Sequence, residues 1–568
     1  MGTEPDPLST LPSKLYANVS SLEQSPGHGD GRIVAFIDIG TNSIRMMIVR
    51  LFPGCTYQVL SRQKELVRLG EGEFGENRIL DDAIDRAVGV CRNFTGLARS
   101  FSTDEVVAVA TSAAREAVNR NVLLTRLRHE ASMDVRVVSG REEARLIYMG
   151  VVTGVHLGGK QALFVDIGGG STEIAIGGQH SCSALESLLL GSIRLTNRFF
   201  SQKEEKPVTK KKYDRIRSAV REAIGPALPD LSVHPFDIAF GSSGTIINLA
   251  EIAARSGNGR AGNEEGLTRS ELARVASLLC SLPLAKRRKV PGINPERADI
   301  IICGAAILET LMDALRIDRI IPTQRGLQDG LLADYLSQMR DFPFIGQLSV
   351  RERSVLQLAR SCRINEHHAR TVARLARELF RSAGECGLHE FGEEEEELLI
   401  SATYLHDVGS FISYANHHLH SSYLIRNADL AGFSHREILL MAHLARYHRK
   451  KPPKGRHLAM VPLEKPDQGR LRVLSAFIRI AESLDRSHAG LVRHARFLST
   501  GAGGAVLELS AVSACELEIA GIGNEAENFQ RVFGRPLITR FVTIDLQELR
   551  ERSDNGTVNP LLDGRGNG

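Results

Sequence analysis

Asp38 and Asp166, 128 residues apart, each end a hydrophobic run and open onto a turn of small residues, in FIDIGTNS (36–43) and FVDIGGGST (164–172). Such turns let backbone N–H groups come close to an anion, and the hydroxyls of Thr41, Ser43, Ser171 and Thr172 can donate further hydrogen bonds. A carboxylate at the strand end can hold a divalent cation through water, as Mg²⁺ at phosphate usually requires. One such segment alone reads as an ordinary tight hairpin. Two copies read as a pair of phosphate loops on two lobes facing one cleft. A third loop, GSSGT (241–245), follows the apolar DIAF and precedes the helical IINLAEIAA, the setting of an anion-binding helix N-terminus.

Between the paired loops lies SGREEARLIYMGV (139–151). Ser139 suits a helix N-cap with Glu142 as its capping-box partner, which leaves Glu143 free to take a proton from an attacking water. The plainer alternative is two acids placed to suit the helix dipole. In ATSAAREA (110–117), Arg115 falls in the first turns after a strand, where it could clamp phosphate bidentately or simply decorate the surface.

These residues need rigid supports, and the chain supplies strand-like runs: IVAFIDIG (33–40), MMIVRLF (46–52), VVAVAT (106–111), VRVVSG (135–140), ALFVDIGG (162–169), EIAIGG (173–178) and DIAFGSSG (237–244). Runs of this kind separated by amphipathic helical segments imply α/β layers. The 568 residues allow several compact units. With 71 Lys and Arg against 67 Asp and Glu the net charge is +4, too near neutral for a histone-like coat, so any anion site is local. Eight cysteines lie scattered without a CxxC pair, which argues against a zinc finger or a disulfide scaffold. With no long apolar run and no basic-then-apolar leader, the expectation is a soluble cytoplasmic protein with no membrane partner. Residues 1–31 and 553–568 read as loose ends.

From about residue 345 the texture becomes helical, Arg-rich and histidine-rich. His368 shares a helix with the apolar Val372, Leu375 and Leu379. YLHDVGSF brings His406 and Asp407, NHHLHSSYLIRN brings His417, His418 and His420, ARYHRK brings His448, and FIRIAESLDRSH brings Asp485 on an apolar helical stripe. A carboxylate there needs a partner, and a metal ion bound by His368, His406, Asp407 and Asp485 would satisfy all four, with N/O ligation suited to Mn²⁺, Fe²⁺, Zn²⁺ or Mg²⁺. Glutamates 393–397 are expected to face solvent. Basic clusters at 210–212, 286–289 and 448–456 could line a groove for a polyanion or be solvated surface. Without interleaved aromatics they give nucleic-acid binding little support. After residue 496 a small unit with strands is expected.

Seven segments in order, IDIGTNSIR, ATSAAREA, SGREEARLIYMGV, FVDIGGGSTE, LLLGSIRL, AFGSSGT and RGLQDGLL, make the chain resemble the exopolyphosphatase / guanosine pentaphosphate phosphohydrolase (Ppx/GppA phosphatase) family. The resemblance covers residues 32–338 and extends more loosely to about 495. It implies a duplicated actin-like (ASKHA, ribonuclease H-like) two-lobe fold, with lobe I over 32–152 and lobe II over 153–340. An all-α domain over 345–495, similar to the HD phosphohydrolases, and a small α+β unit over 496–552 follow. The implied activity is Mg²⁺-dependent removal of the terminal phosphate from inorganic polyphosphate, or of the 5′-terminal phosphate from guanosine pentaphosphate, by a homodimer; the sequence does not choose between the two, and the extra helical region tilts the reading to polyphosphate. Carried over by position, Glu143 is the catalytic base. Asp38, Asp166 and Glu173 are the acids around the metal. Asn42, Ser43, Arg115, Gly168, Gly169, Gly170, Ser171, Gly244 and Thr245 hold phosphate. The departure is Arg141, where Asn is common in the family; it could add a cation to the cleft or depress the pKa of Glu143. An ATP-using kinase of the same superfamily and a non-catalytic polyphosphate or alarmone sensor are the competing readings. The helical domain is expected to extend a polymer channel, with a second divalent metal at its HD-like residues but no independent catalysis.

Overall fold

The computed structural model describes residues 31–543 except 53–55, 72–76, 201–205, 257–265, 340–348, 454–462 and 499–503. The expected loose ends therefore lie outside the described residues, apart from Gly31. The chain parts into two compact units near residue 346.

The first unit holds two sheets of the same plan. In one, β1 (Ile33–Ile39), β2 (Ser43–Phe52), β3 (Thr56–Leu66), β4 (Glu105–Ala110) and β5 (Val135–Val137) lie in the order β3-β2-β1-β4-β5. In the other, β6 (Ala162–Ile167), β7 (Thr172–Gly177), β8 (Cys182–Leu188), β9 (Ile238–Ser242), β10 (Leu267–Thr268) and β11 (Arg319–Pro322) run β10-β11-β9-β6-β7-β8. Each has an antiparallel three-strand meander followed by two parallel strands, with β10 added at one edge. The first strands are apolar on both faces because both faces are covered. Ile33, Ala35, Ile37 and Ile39 enter one core while Val34 and Phe36 enter another. Leu163, Val165 and Ile167 likewise part from Ala162 and Phe164.

The helix Gly140–Val152 belongs to both lobes. Its Leu146 packs with Val34, Phe36 and Leu331, and its Ile147, Tyr148 and Val151 pack with Phe164. The helix Leu327–Gln338 also lies in the core of the first sheet, although it follows β11 in sequence. Gly150 and Gly330 let these two helices touch: a Cβ at Gly150 would overlap the Gly326 carbonyl oxygen, and one at Gly330 would overlap the Leu146 carbonyl oxygen.

The second unit is built on helices Val350–Ser361, Glu366–Glu385, Glu393–Tyr404, His417–Asn427, His435–Tyr447 and Lys465–Ser483, followed by β12 (Val492–Leu498), β13 (Ala505–Ala511) and β14 (Leu537–Thr543) in one sheet. Val492, Phe497, Leu507 and Leu509 share a core with Leu375, Leu399 and Phe477, so strands and helices pack as one body. Capping boxes at Ser349/Glu352 and Ser434/Glu437 start two of the helices. The glutamate run departs from expectation. Glu395 and Glu396 are buried, because Arg470 pairs with Glu395 at 2.8 Å and Arg381 with Glu396 at 2.9 Å. Arg287, inside the 286–289 basic cluster, is also buried, donating to the carbonyls of Leu279, Leu282 and Ala298; it braces a turn and cannot grip a polyanion. Among the described residues no helix is long and apolar enough to cross a membrane, and the cysteines are free.

His443 gives this unit a pH dependence. Burial, reinforced by the charges of Arg446 and Arg426, holds its imidazole down to about 4 from 6.5. Between those values the unfolded chain binds a proton that the folded chain does not, so this contribution to stability is complete above 6.5 and is lost as the pH falls. The imidazole is partly exposed, so about 1–2 kcal/mol between pH 7 and 5 is expected. Denaturant unfolding at the two pH values, compared between the parent and His443→Gln, checks this: the variant is expected to lack this part of the difference.

Candidate active site

The paired turns are the same structure twice. In the first, the Gly40 N–H donates to the Ser43 carbonyl at 3.2 Å, and in the second the Gly168 N–H donates to the Ser171 carbonyl at 2.9 Å. In each the acid stands two residues before that glycine. The turns face each other at contact range, since a Cβ on Gly169 would lie 3.0 Å from the Thr41 Cβ. Arg194 ties the second turn to the first lobe: its Nε donates to the Gly170 carbonyl at 2.7 Å and its Nη2 meets Oε2 of Glu116, at the end of the helix Ser112–Glu116, at 2.6 Å. The third loop starts a helix directly. Ser243 begins Ser243–Ser256 with φ of 83°, a left-handed conformation costly for a side-chain-bearing residue. Gly244 and Thr245 lie in the first turn, and the Arg297 guanidinium packs where a Gly244 Cβ would be.

Sheet register sets the acids. Across the first sheet Asp38 stands opposite Arg45, which stands opposite Lys64. Across the second, Ser242, Asp166, Glu173 and Ser187 form one rung. Residues on one rung share a face, so a mixed acidic and basic rung meets an acidic and hydroxyl one. Ser242 donates to Asp166 at 2.5 Å and Ser187 to Glu173 at 2.9 Å.

Glu143 enters from the helix that joins the lobes. Its carboxylate is buried and takes a 2.8 Å bond from Arg115 Nη1, which also donates to the Val138 carbonyl. Burial pushes the carboxyl up to about 7; Arg115 opposes the rise and the charges of Asp38 and Asp166 add to it. Asp38 is pushed up to about 6, mainly by burial, with Arg45 opposing and Asp166 adding. Burial also raises Asp166, against the Ser242 hydrogen bond, and raises Glu173 well above the carboxylate range, with Glu143 and Asp166 adding. Four carboxyl groups thus bear on one another, Glu143 and Glu173 buried and Asp38 and Asp166 half-buried, and the Asp38 Oδ1 atom is buried with no hydrogen-bond partner. Oxygen ligands that repel one another and lack donors are the surroundings a hard divalent cation suits, so Mg²⁺ fits these residues. Asn42 Nδ2, buried and without a partner, is a donor that a phosphate oxygen would satisfy.

The candidate base, acids and phosphate residues of the sequence are therefore brought together. Three cations were not among them. Arg45, Lys64 and Arg297 bear on one another electrostatically, and Arg297 is buried enough for its guanidinium to be pulled down to about 10. Arg45 and Lys64 are legible only once β1, β2 and β3 are in register. Arg297 sits in a short turn, Pro295–Arg297, with no local signature. Arg141 is exposed and lines an open cavity of about 730 Å³ with Arg115, Gly140 and Ser187. It does not depress Glu143, because Arg115 is the cation at that carboxylate and burial outweighs it. The capping box is half made: Ser139 Oγ accepts from the Glu142 N–H, but the Glu142 carboxylate pairs with Arg145 at 2.8 Å.

The sequence model of the Ppx/GppA phosphatase family matches residues 47–339, and that of Ppx/GppA phosphatase, domain III, matches residues 350–513. The chain belongs to the Ppx/GppA phosphatase family. A guanosine-5′-triphosphate,3′-diphosphate pyrophosphatase of Photobacterium profundum is 29% identical over 419 residues, 74% of this chain and 81% of that protein. The crystal structure of an exopolyphosphatase from Cytophaga hutchinsonii is 26% identical with a TM-score of 0.50, covering 55% of this chain and 99% of its own. An exopolyphosphatase-like protein gives 28% and 0.50, covering 54% of this chain and 98% of its own. This Ppx/GppA phosphatase thus has the actin-like two-lobe fold, and it is a hydrolase of phosphoric anhydrides.

In the second unit of this phosphatase, His368, His406 and Asp407 do converge, but Asp485 stands behind them. Its Oδ2 lies 2.8 Å from His368 Nδ1, on the far side of that ring, while Glu482 Oε2 lies 3.2 Å from His368 Nε2 and 3.0 Å from His406 Nε2. Glu482 and Asp485 are three residues apart near one helix end, and helical periodicity cannot choose between them.

Proposed function

We propose that this phosphatase is an exopolyphosphatase that hydrolyses the terminal phosphate of inorganic polyphosphate with Mg²⁺, and that it also converts guanosine pentaphosphate to the tetraphosphate. The observation that carries the reading is the buried Glu143 carboxylate, which feels the charges of Asp38 and Asp166, the acids that precede two facing glycine turns. The backbone N–H groups of the turns, the free Asn42 amide and Arg115 would receive the terminal phosphate. Arg45, Lys64 and Arg297 add positive charge for the anionic chain behind it. Asp38, Asp166 and Glu173 would hold Mg²⁺, whose charge offsets that of the phosphates. Glu143 accepts a proton from the attacking water; the water oxygen bonds to the terminal phosphorus while its bond to the bridging oxygen breaks. The second substrate is favoured by the Photobacterium relative, named for its action on that nucleotide. The kinase alternative lacks support, because the family match is to phosphatases.

Phosphate release from long polyphosphate, guanosine pentaphosphate and ATP, measured in parallel with and without Mg²⁺, tests the proposal. Fastest release from polyphosphate, dependent on Mg²⁺, is expected; turnover of ATP alone would overturn it. Lys64→Gln is expected to raise KM for polyphosphate by about 5- to 10-fold with kcat little changed, the scale of one lost charge-assisted contact, and to make KM less sensitive to salt.

A further inference from the structure

We infer that the second unit carries a centre for two divalent transition-metal ions that share the Asp407 carboxylate. His368, His406 and Glu482 complete one half and His417 and His448 the other. This goes beyond the single site expected at His368, His406, Asp407 and Asp485.

Two groups of ligand atoms meet at Asp407. On one side are His368 and His406, with His406 Nε2 3.6 Å from Asp407 Oδ1; on the other are His417 Nε2 at 3.0 Å and His448 Nε2 at 3.8 Å. The far nitrogen of each ring is already engaged. Nδ1 of His406, His417 and His448 donates to the carbonyls of Thr403, Tyr414 and Ala445 at 2.5, 3.0 and 2.7 Å, and His368 Nδ1 meets Asp485. A ring that donates through Nδ1 presents a lone pair at Nε2 when neutral. Those lone pairs aim at one another and at carboxylate oxygens: His417 Nε2 is 3.3 Å from His448 Nε2, and His406 Nε2 is 3.0 Å from Glu482 Oε2. His368 Nε2, His406 Nε2, Asp407 Oδ1 and Glu482 Oε2 are all buried without a hydrogen-bond partner. Acceptors crowded against acceptors need cations between them, and rings pinned from behind are what metal-bound histidines have.

The Arg449 guanidinium lies 3.2 Å from His417 Nε2, so this ring exchanges that contact for the ion when the second half fills. The side chains of Asp407 and Glu482 are 23% and 24% exposed, which gives ions a way in. Imidazole-rich ligation selects Mn²⁺, Fe²⁺ or Zn²⁺, whereas the all-oxygen acids of the cleft suit Mg²⁺. The two units thus call for different metals.

The test is metal content of the full chain, stripped with chelator, reloaded with Mn²⁺ and passed over a desalting column. Two ions per chain held by the second unit, beyond any that the all-oxygen cleft retains, and an exchange-coupled Mn²⁺ pair by electron paramagnetic resonance are expected. His417→Gln with His448→Gln should leave one ion and abolish the coupling, Asp407→Asn should leave fewer than one, and the cleft variant Asp166→Asn should leave two. One ion or none in the unmodified chain, or two that survive Asp407→Asn, would overturn the inference. If the variants misfold, the coupled signal of the unmodified chain decides alone, its absence counting against the pair.

Discussion

Glu143→Gln is expected to lower kcat for phosphate release by about 10²- to 10⁴-fold, the usual worth of a positioned general base, while KM for polyphosphate changes less than about 3-fold, because loops and cations make the binding contacts. Glutamine keeps the shape and a hydrogen bond from Arg115 but cannot take the proton. Removing a carboxyl that burial already pushes up to about 7 relieves repulsion among four neighbouring acids, so no loss of stability is expected and the lower rate reports chemistry. The neighbouring acid is the control. Glu142 is half-buried and salt-bridged to Arg145, which Asp334 also holds; the charges that bear on it are Arg145 and Arg136, not the cleft acids, so Glu142→Gln should change kcat by less than about 2-fold. Steady-state kinetics on both variants checks the assignment; comparable losses from the two would remove Glu143 from its role.

Gly330→Ala is expected to destabilise the first unit by about 3 kcal/mol and to reduce activity with it, although Gly330 carries no functional group. Its added methyl would overlap the Leu146 carbonyl, a backbone atom that no rotamer change can move aside. The helix Leu327–Gln338 would have to lift off the helix Gly140–Val152, and Glu143 sits in the first turn of the latter. A shift of about 1 Å at a catalytic group is enough for large losses of rate. Gly89, inside the helix Asp81–Ser100 with open space where its Cβ would be, is the comparison: Gly89→Ala should be neutral or stabilising by up to about 1 kcal/mol. Denaturant midpoints together with kcat separate the two. A Gly330→Ala protein as stable as its parent would mean that the helices do not depend on this close approach.

The amino-acid sequence alone determined the elements that depend on local chemistry. The apolar runs of β1 and β6, the twin turns with their preceding acids, and the Ser139 cap are written in consecutive residues, because strand alternation, turn conformation and capping act over a few positions. Order and motif spacing carried the family and the two-lobe fold as well. Tertiary structure alone decided which charges meet. Strand register aligned Asp38, Arg45 and Lys64 on one rung, and a distant turn delivered Arg297. Packing of the helix Glu393–Tyr404 buried Glu395 and Glu396, and the position of one helix end put Glu482 rather than Asp485 among the histidines. The physical reason is range. A turn or a cap is satisfied within its own segment, whereas the pairing of a buried charge is set by whichever element the fold lays against it, and a shift of one strand position or one helical turn changes that partner.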